Sequence, residues 1–500
     1  MTTTVVIPDR RQRPTYGGWI SMKSTFAFGF TKLAAAVAAT AVIAMFVVMF
    51  AVGAIQGLIV LVVSSVFVAP LAISINGRTI YEEVVSMRQW SRQKSRGQNI
   101  LRAGPLSNQP GGRCRLPGVS AATEMWWSKD TMGNEFGMIR MRATSQYTVL
   151  LRCTPQGDRN IEQDTIDEWV GSWGYFLAAL GQSSDIDGCV VVVESLPDTG
   201  AAVRTEVESL CSNGNAPELA KRVIREHVPQ VDHGGQRISA RMALTFRART
   251  PERRRDPMKM ALEIGTRLPA LYHHMARCGV ACEPMLDQEI AGVTRIAYDP
   301  EAQEDVEASM AARDKSMVWE DAGPIAVDET KKTYHHDSGV SRSWVMRVPP
   351  AGTISERVLK PLLAPRGDIR RKRVAIIYRP HTAADASRII DRDYKSALAK
   401  ASQSRGPVAP AAKIGVAATA KAREEEAQGH GLSRFAIIVT VTGLDEDELD
   451  LMVPTATDLM AQTRMKMRVA FRTQAATFAA GLGVGVLLPD HITAPKALGG

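Results

Sequence analysis

Cysteine is scarce. The chain has six in 500 residues (Cys114, Cys153, Cys189, Cys211, Cys278 and Cys282), and their spacing matches no disulfide scaffold. A cystine-stapled secreted fold is excluded, and the usage suits a reducing compartment. Cys189 leads into the apolar run Val190–Val193 and reads as a small core residue. Glycine (39) and proline (26) are too few for a collagen-like chain. A composition 45% hydrophobic and 23% charged excludes a disordered polymer. A mean hydropathy of -0.09 excludes a polytopic transporter but not a local membrane anchor. At ~150 residues per domain, the length predicts two or three domains.

The motifs of common chemistry are also missing. No Gly-x4-Gly-Lys-Ser/Thr phosphate loop occurs, so the backbone cradle and lysine that hold nucleotide phosphates are absent. Neither a Gly-x-Ser-x-Gly elbow nor a His-Glu-x-x-His helix is present. Gly481-Leu482-Gly483-Val484-Gly485 is glycine-rich, but no long helix follows it to meet a phosphate. Cys278 and Cys282, with His273 and His274 upstream, invite a zinc reading; no second close pair follows, and an ordinary helix end is the preferred one. His335-His336, between Tyr334 and Asp337, is expected in a hairpin and reads as a solvated turn rather than a catalytic base. No catalytic, cofactor-binding or metal residue is assigned.

Charge is absent from one long stretch. Residues 33–77 contain no Asp, Glu, Lys or Arg. Residues 1–32 carry five basic residues against Asp9, and residues 78–102 carry six against Glu82 and Glu83, so each flank is +4 in a chain of net charge +9. The remaining chain is near neutral, and no direct nucleic-acid binding is expected. At ~1.5 Å per residue the uncharged run is long enough to cross a ~30 Å hydrocarbon core twice. Broken at Gly53–Gly57, it predicts a transmembrane hairpin with helices near 31–52 and 56–75. A buried soluble hairpin is the alternative, but such helices carry a polar face and this run has none. Basic residues on both flanks place both termini in the cytoplasm, in a multi-pass protein of the cell (inner) membrane. Gly53 and Gly57 have small-xxx-small spacing but read as the turn rather than a dimer face.

Beyond the hairpin, strand and helix signals alternate. Strands are expected around Met138–Arg152, turning at Thr144-Ser145, and at Gly188–Glu194, Ile238–Phe246, Ser343–Val348, Val374–Tyr378, Phe435–Val441 and Met465–Phe471. Helices are expected at 161–180, 217–228, 257–278, 355–363, 383–401 (broken by Gly406-Pro407 and Pro410 and resuming to about Gln428) and 445–462. Asp256 is the N-cap before Pro257, and acidic residues open the last helix. The fold class is α+β: the transmembrane hairpin followed by cytoplasmic mixed α/β lobes with packed sheets. The divisions are a tail (1–30), the hairpin (31–76), a basic connector (77–135), a first α/β lobe (136–300), a linker (301–330), a second α/β lobe (331–490) and a tail (491–500). Gly406–Gly431, rich in Ala, Gly and Pro, reads as a poorly ordered segment.

Three features suggest contacts. Trp126-Trp127 in the connector is either an exposed partner anchor or core. Arg253-Arg254-Arg255 and Arg370-Arg371-Lys372-Arg373 are solvated loops or rests for anionic lipid.

Several motifs resemble one family. They are Tyr16-Gly17-Gly18-Trp19, Gly104-Pro105-Leu106, Pro110 to Gly118 (Pro-Gly-Gly-Arg-Cys-Arg-Leu-Pro-Gly), Arg254-Arg255-Asp256-Pro257, Glu263 to Pro269 and Ala297-Tyr298-Asp299-Pro300. In order and spacing the chain resembles an actinobacterial family of two-helix integral membrane proteins from conjugation/type IV secretion-like gene clusters, over nearly its whole length. The layout also resembles, more loosely, a two-helix subunit fused to the N-terminal domain of a conjugation ATPase, with Gln474 to Pro489 as the segment before the motor. The resemblance implies a non-enzymatic inner-membrane scaffold or adaptor of a type IV secretion-like transfer machine. Its partners would be a separate secretion/conjugation ATPase, other membrane subunits and the lipid bilayer, with homo-oligomerisation left open. A membrane component of a type VII secretion system is the alternative, and an enzyme at the membrane surface is a third reading.

Overall fold

The computed structural model of the chain describes residues 32–72, 74–75, 78–107, 109–157, 159–183, 185–212, 217–227, 235–312, 316–350, 354–402, 410–427 and 431–491. The N-terminal tail 1–30 with Tyr16–Trp19, the last nine residues, and parts of the Gly406–Gly431 segment (406–409 and 428–430) lie outside them.

The uncharged run folds as two helices, α1 (Lys32–Ala51) and α2 (Ala54–Ala72). They pack on each other across a turn at Gly53, whose φ of 144° an L side chain rarely adopts. At Gly57 a Cβ would lie 2.7 Å from the Met49 Cβ, so this glycine permits the close approach of the two helices. The expectation of a transmembrane hairpin is corrected here: among the described residues, no helix is long and apolar enough to cross a membrane. The run is divided into helices of 20 and 19 residues, and the second includes Gln56, Ser64, Ser65 and Pro70. The multi-pass placement in a cell membrane, with both termini cytoplasmic, is corrected with it. Phe50, Ile55, Leu58 and Ile43 of this pair remain exposed. A small hairpin, β1 (Ser74–Ile75) and β2 (Arg78–Thr79), and helix α3 (Ile80–Ser95) follow.

The rest is mixed α/β, built on one large antiparallel sheet. The first set of elements is β3 (Ile100–Arg102), β4 (Thr123–Lys129), β5 (Glu135–Met141), β6 (Gln146–Pro155), α4 (Gln163–Gln182), β7 (Ile186–Pro197), α5 (Ala201–Ser212), α6 (Glu218–His227), β8 (Gln236–Arg247), α7 (Pro251–Arg255), α8 (Pro257–Arg277), β9 (Val280–Pro284), α9 (Asp287–Tyr298) and α10 (Gln303–Ala311). The second is β10 (Ala326–Glu329), β11 (Tyr334–His336), β12 (Gly339–Val348), α11 (Lys360–Leu363), β13 (Arg371–Pro380), α12 (Ala383–Ser402), α13 (Pro410–Ala427), β14 (Ser433–Gly443), α14 (Glu446–Gln462), β15 (Lys466–Val469) and α15 (Gln474–Gly481). The strand order is β3-β10-β11-β12-β14-β13-β7-β8-β6-β5-β4, with β15 beside β12 and β9 beside β6. Instead of two packed sheets, the strands of both sets share one sheet.

The order repeats. A three-stranded meander (β4-β5-β6, then β10-β11-β12) leads through helix to strand (β7, β13). Two helices lead to the next strand (β8, β14), and a further helix (α8, α14) leads to a short strand (β9, β15). That last strand returns to the third strand of its own meander. The two units meet edge to edge where β7 and β13 pair antiparallel, from Lys372↔Ser195 to Tyr378↔Cys189. An approximate two-fold relation therefore runs through the middle of the sheet.

The local reasons are legible. Asp256 caps α8 by accepting the Met258 N–H at 2.9 Å, and Pro257 at the first position loses no helical bond. Asp445 accepts the Glu448 N–H at 2.7 Å, while the Glu448 carboxylate accepts the Leu444 N–H. Ser145, at φ 55°, turns β5 into β6. Alternation along the strands then sorts side chains to two faces. On one face, Met138, Val149, Leu151, Met242, Leu244 and Phe246 pack under α4 and α8. In the second unit, Val374, Ile437, Val439 and Val441 pack under α11 and α14 on an equivalent core. The opposite face is one core across both units. Ile139, Leu150, Val190, Val192, Ala375 and Ile438 lie under α9, α15 and the C-terminal segment.

That segment explains the glycine-rich motif. Gly481 lies over Thr440 of β14, Gly483 over Val192 of β7, and Gly485 over Thr148 of β6. A Cβ at Gly485 would stand 2.2 Å from the Thr148 hydroxyl. The motif is a strap lying on the sheet across the join of the units. Its end is pinned by Asp490, which accepts from Arg379 of β13 at 2.9 Å and Gln146 of β6 at 2.8 Å and pairs with Arg247 of β8.

Candidate functional site

The family-like motifs build the walls around one sheet edge. Among the described residues strand β4 pairs on one side only, with β5, with Trp126 opposite Met138 and Trp127 opposite Gly137. Alternation sends the two tryptophans to opposite faces. Trp126 packs against the core beneath α8, with its indole nitrogen buried and unpartnered. Trp127 is 59% exposed. The paired reading of Trp126-Trp127 thus divides into one core residue and one surface residue on an edge strand.

A cleft of about 510 Å³ opens at the start of β4, lined by Arg115, Leu116, Glu124, Trp126, Arg142 and Trp319 among others. The motif around Cys114 forms one wall. The Gly323 N–H donates to the Cys114 carbonyl at 2.8 Å, and Arg113 pairs with Asp321 at 2.7 Å. A Cβ at Gly323 would sit 2.4 Å from the Arg115 backbone, so only glycine fits. Trp319 is buried and donates from its indole N–H to Thr123 at 3.1 Å. Glu124 bridges Arg142 at 2.7 Å and Arg140 at 3.5 Å. The Gly265 motif supports β4 from below: a Cβ there would meet the Lys129 carbonyl at 2.9 Å. An edge strand with unpaired backbone groups, a half-apolar cleft and both charge signs at the rim can receive an extended peptide as an added strand.

The remaining sequence candidates have structural positions. The expected hairpin forms between β11 and β12, but His336 is not in a solvated turn. It is fully buried in β11, its Nδ1–H donating to the Tyr298 carbonyl at 2.6 Å and its Nε2 accepting from the Ser341 hydroxyl at 2.7 Å. These bonds fit a neutral ring, and burial holds its pKa down at about 4. Only His335 reaches the surface, beside Glu446 at 3.1 Å. Cys278 closes α8 by donating to the His274 carbonyl at 3.3 Å, and burial pushes its thiol up to about 11. Cys282 faces Cys153 across β9 and β6, with sulfurs 3.5 Å apart. Among the described residues, no group of three or more His, Cys, Asp or Glu is placed to hold a metal ion.

The two basic clusters separate. Arg253 of α7 pairs with Glu263, and the Arg253 and Arg254 carbonyls accept from Tyr147 of β6 and Arg140 of β5, so this cluster packs against those two strands. The Arg370 cluster is a correction. Arg371, Lys372 and Arg373 are buried in β13, not in a solvated loop or a lipid rest. Arg373 donates Nε and Nη2 to Oε1 of Glu194, at 2.9 and 2.7 Å, while Arg241 of β8 donates to Oε2 at 2.8 Å. Burial alone would push the Glu194 carboxyl up; Arg373 and Arg241 outweigh it and hold its pKa at about 2. Burial lowers Lys372 to about 8, and its ammonium donates to the Ala364 carbonyl at 2.6 Å. The adjacent run Val374-Ala375-Ile376-Ile377 was the signal that this cluster belongs to an interior strand.

Among known families, the model of a domain of unknown function (DUF8461) matches residues 23–82, the segment containing α1, α2 and the start of α3. No curated protein matches the chain.

Proposed function

We propose that this protein is a non-enzymatic scaffold subunit of a type IV secretion-like, conjugation-type transfer machine, docking a separate ATPase. The observation that carries the reading is the outer edge of β4, which no described strand pairs, with Trp127 exposed on that strand and the 510 Å³ cleft at its start. Aromatic residues beside open backbone groups are the chemistry of strand addition, where main-chain bonds give affinity and side-chain pockets give register. The family-like motifs at 104–118 and 263–269 support the same reading, because they shape this edge.

The test is recovery of partners with the tagged full chain from its native cells, followed by mass spectrometry, for wild type and Trp127→Ala. The expected result is a conjugation-type ATPase recovered with wild type and about tenfold depleted with the variant, as loss of a ~1.4 kcal/mol contact would give. Recovery of a type VII secretion motor instead would overturn the assignment to a conjugation-type machine. Undiminished recovery with Trp127→Ala would overturn the β4 docking surface.

A further inference from the structure

The centre of the sheet has more buried cation than carboxylate. Arg371 and Arg373 occupy alternate positions of β13 on the face beneath α9, with relative exposures of 7% and 5%. Both oxygens of Glu194 are already engaged, one by Arg373 and the other by Arg241. Among the described residues, Arg371 has no carboxylate in hydrogen-bond contact: its Nη2 donates to the Pro300 carbonyl at 2.7 Å and to the Gln303 side-chain oxygen at 2.5 Å. Glu307 is held by Arg237 and Gln303. Two guanidiniums, of Arg373 and Arg241, therefore share the Glu194 carboxylate, and Arg371 lies beside them with no bonded carboxylate of its own.

Two donors in this cluster are unpartnered, Nε of Arg371 and Nη1 of Arg373. Both arginines line a small cavity with Glu194, Ile296, Ala297 and Thr442. Its free volume for the centre of a water-sized particle is about 10 Å³. Phe478 packs against the Arg373 guanidinium, with Cζ 5.1 Å from the ring centroid. A buried guanidinium is stable only when paired and hydrogen-bonded. A tetrahedral oxyanion is too large for a cavity of this size, and a cation would be repelled. We propose that this cavity is a structural binding site for one small monovalent anion of the halide class, held between Arg371 and Arg373 where the two repeated units join. A single water molecule could satisfy the two N–H groups but not the excess charge, and it is the competing occupant.

The experiment compares the thermal midpoint of the full chain in chloride and in gluconate, at equal pH and ionic strength. It is repeated with Arg371→Met, and wild-type crystals are soaked in bromide. The site predicts a saturable rise of about 2–4 °C in chloride for wild type. The rise disappears in Arg371→Met, and a bromide anomalous peak lies within contact of Arg371 Nε and Arg373 Nη1. Equal midpoints in the two salts with no anomalous peak would assign the cavity to water and overturn the proposal. A chloride effect that survives in Arg371→Met would overturn it too. If the variant does not fold, the bromide map of wild type decides alone.

Discussion

Replacing Glu194 by glutamine tests the central joint of the molecule. The amide keeps the shape of the side chain and removes its charge, leaving Arg241 and Arg373 buried without their shared carboxylate. The Glu194 carboxyl is held at about 2 against a usual 4.5. At 1.36 kcal/mol per unit, that difference corresponds to about 3 kcal/mol of stabilisation near pH 7. Breaking a buried pair by removing one partner costs a similar ~3–5 kcal/mol. The site to read is β7 and β13, whose pairing joins the units. Hydrogen exchange of those amides reports local opening, and ~3 kcal/mol corresponds to about a hundredfold faster exchange. The pH dependence supplies a second signature. Because the folded pKa is depressed, the contribution is complete above pH 4.5 and is lost as pH falls from 4.5 towards 2. The difference between wild type and Glu194→Gln should therefore shrink over that window and stay constant above it. Exchange in β7 and β13 within about twofold of wild type at pH 7 would refute the view that this carboxylate holds the join.

Three further outcomes are expected. The neutral, buried His336 stabilises the fold above its unfolded value of 6.5, and this contribution is lost as pH falls from 6.5 towards about 4; His336→Phe removes that segment of the urea-midpoint profile. Gly485→Ala places a methyl against Thr148 at a backbone φ of 88° and lowers stability by about 2 kcal/mol, read as loss of protection in the strap. Trp126→Ala removes core packing and costs about 2–3 kcal/mol, whereas Trp127→Ala leaves unfolding within about 0.5 kcal/mol of wild type; equal losses would refute the opposite facing of the two rings.

The contrast between what could and could not be read has a physical basis. Asp256-Pro257 and Asp445 marked their helix starts because capping is decided within four residues. The strands of β6, β7, β8, β12, β13 and β14 showed through period-two alternation or apolar runs. Strands β3, β4 and β10 did not, because they are short or carry polar residues at or near sheet edges. The same limit hid His336, whose polar neighbours suggest solvent although Tyr298, Tyr334 and Phe478 enclose it. The uncharged run at 33–77 fixed two helices but not a crossing, because hydrophobicity summed over the run does not say where each helix ends.

The sequence by itself determined the local grammar: the helix caps, the buried strands, the break at Gly53 and the absence of a phosphate loop. Tertiary structure alone decided that β13 pairs with β7, about 180 residues away, making one sheet of two repeated units. It also made three consecutive basic residues interior and turned a glycine-rich tail into a strap. These outcomes depend on which strand edges meet, and each edge offers the same backbone groups. The choice between them falls to the cores on both faces and to the carboxylate of Glu194 between two arginines.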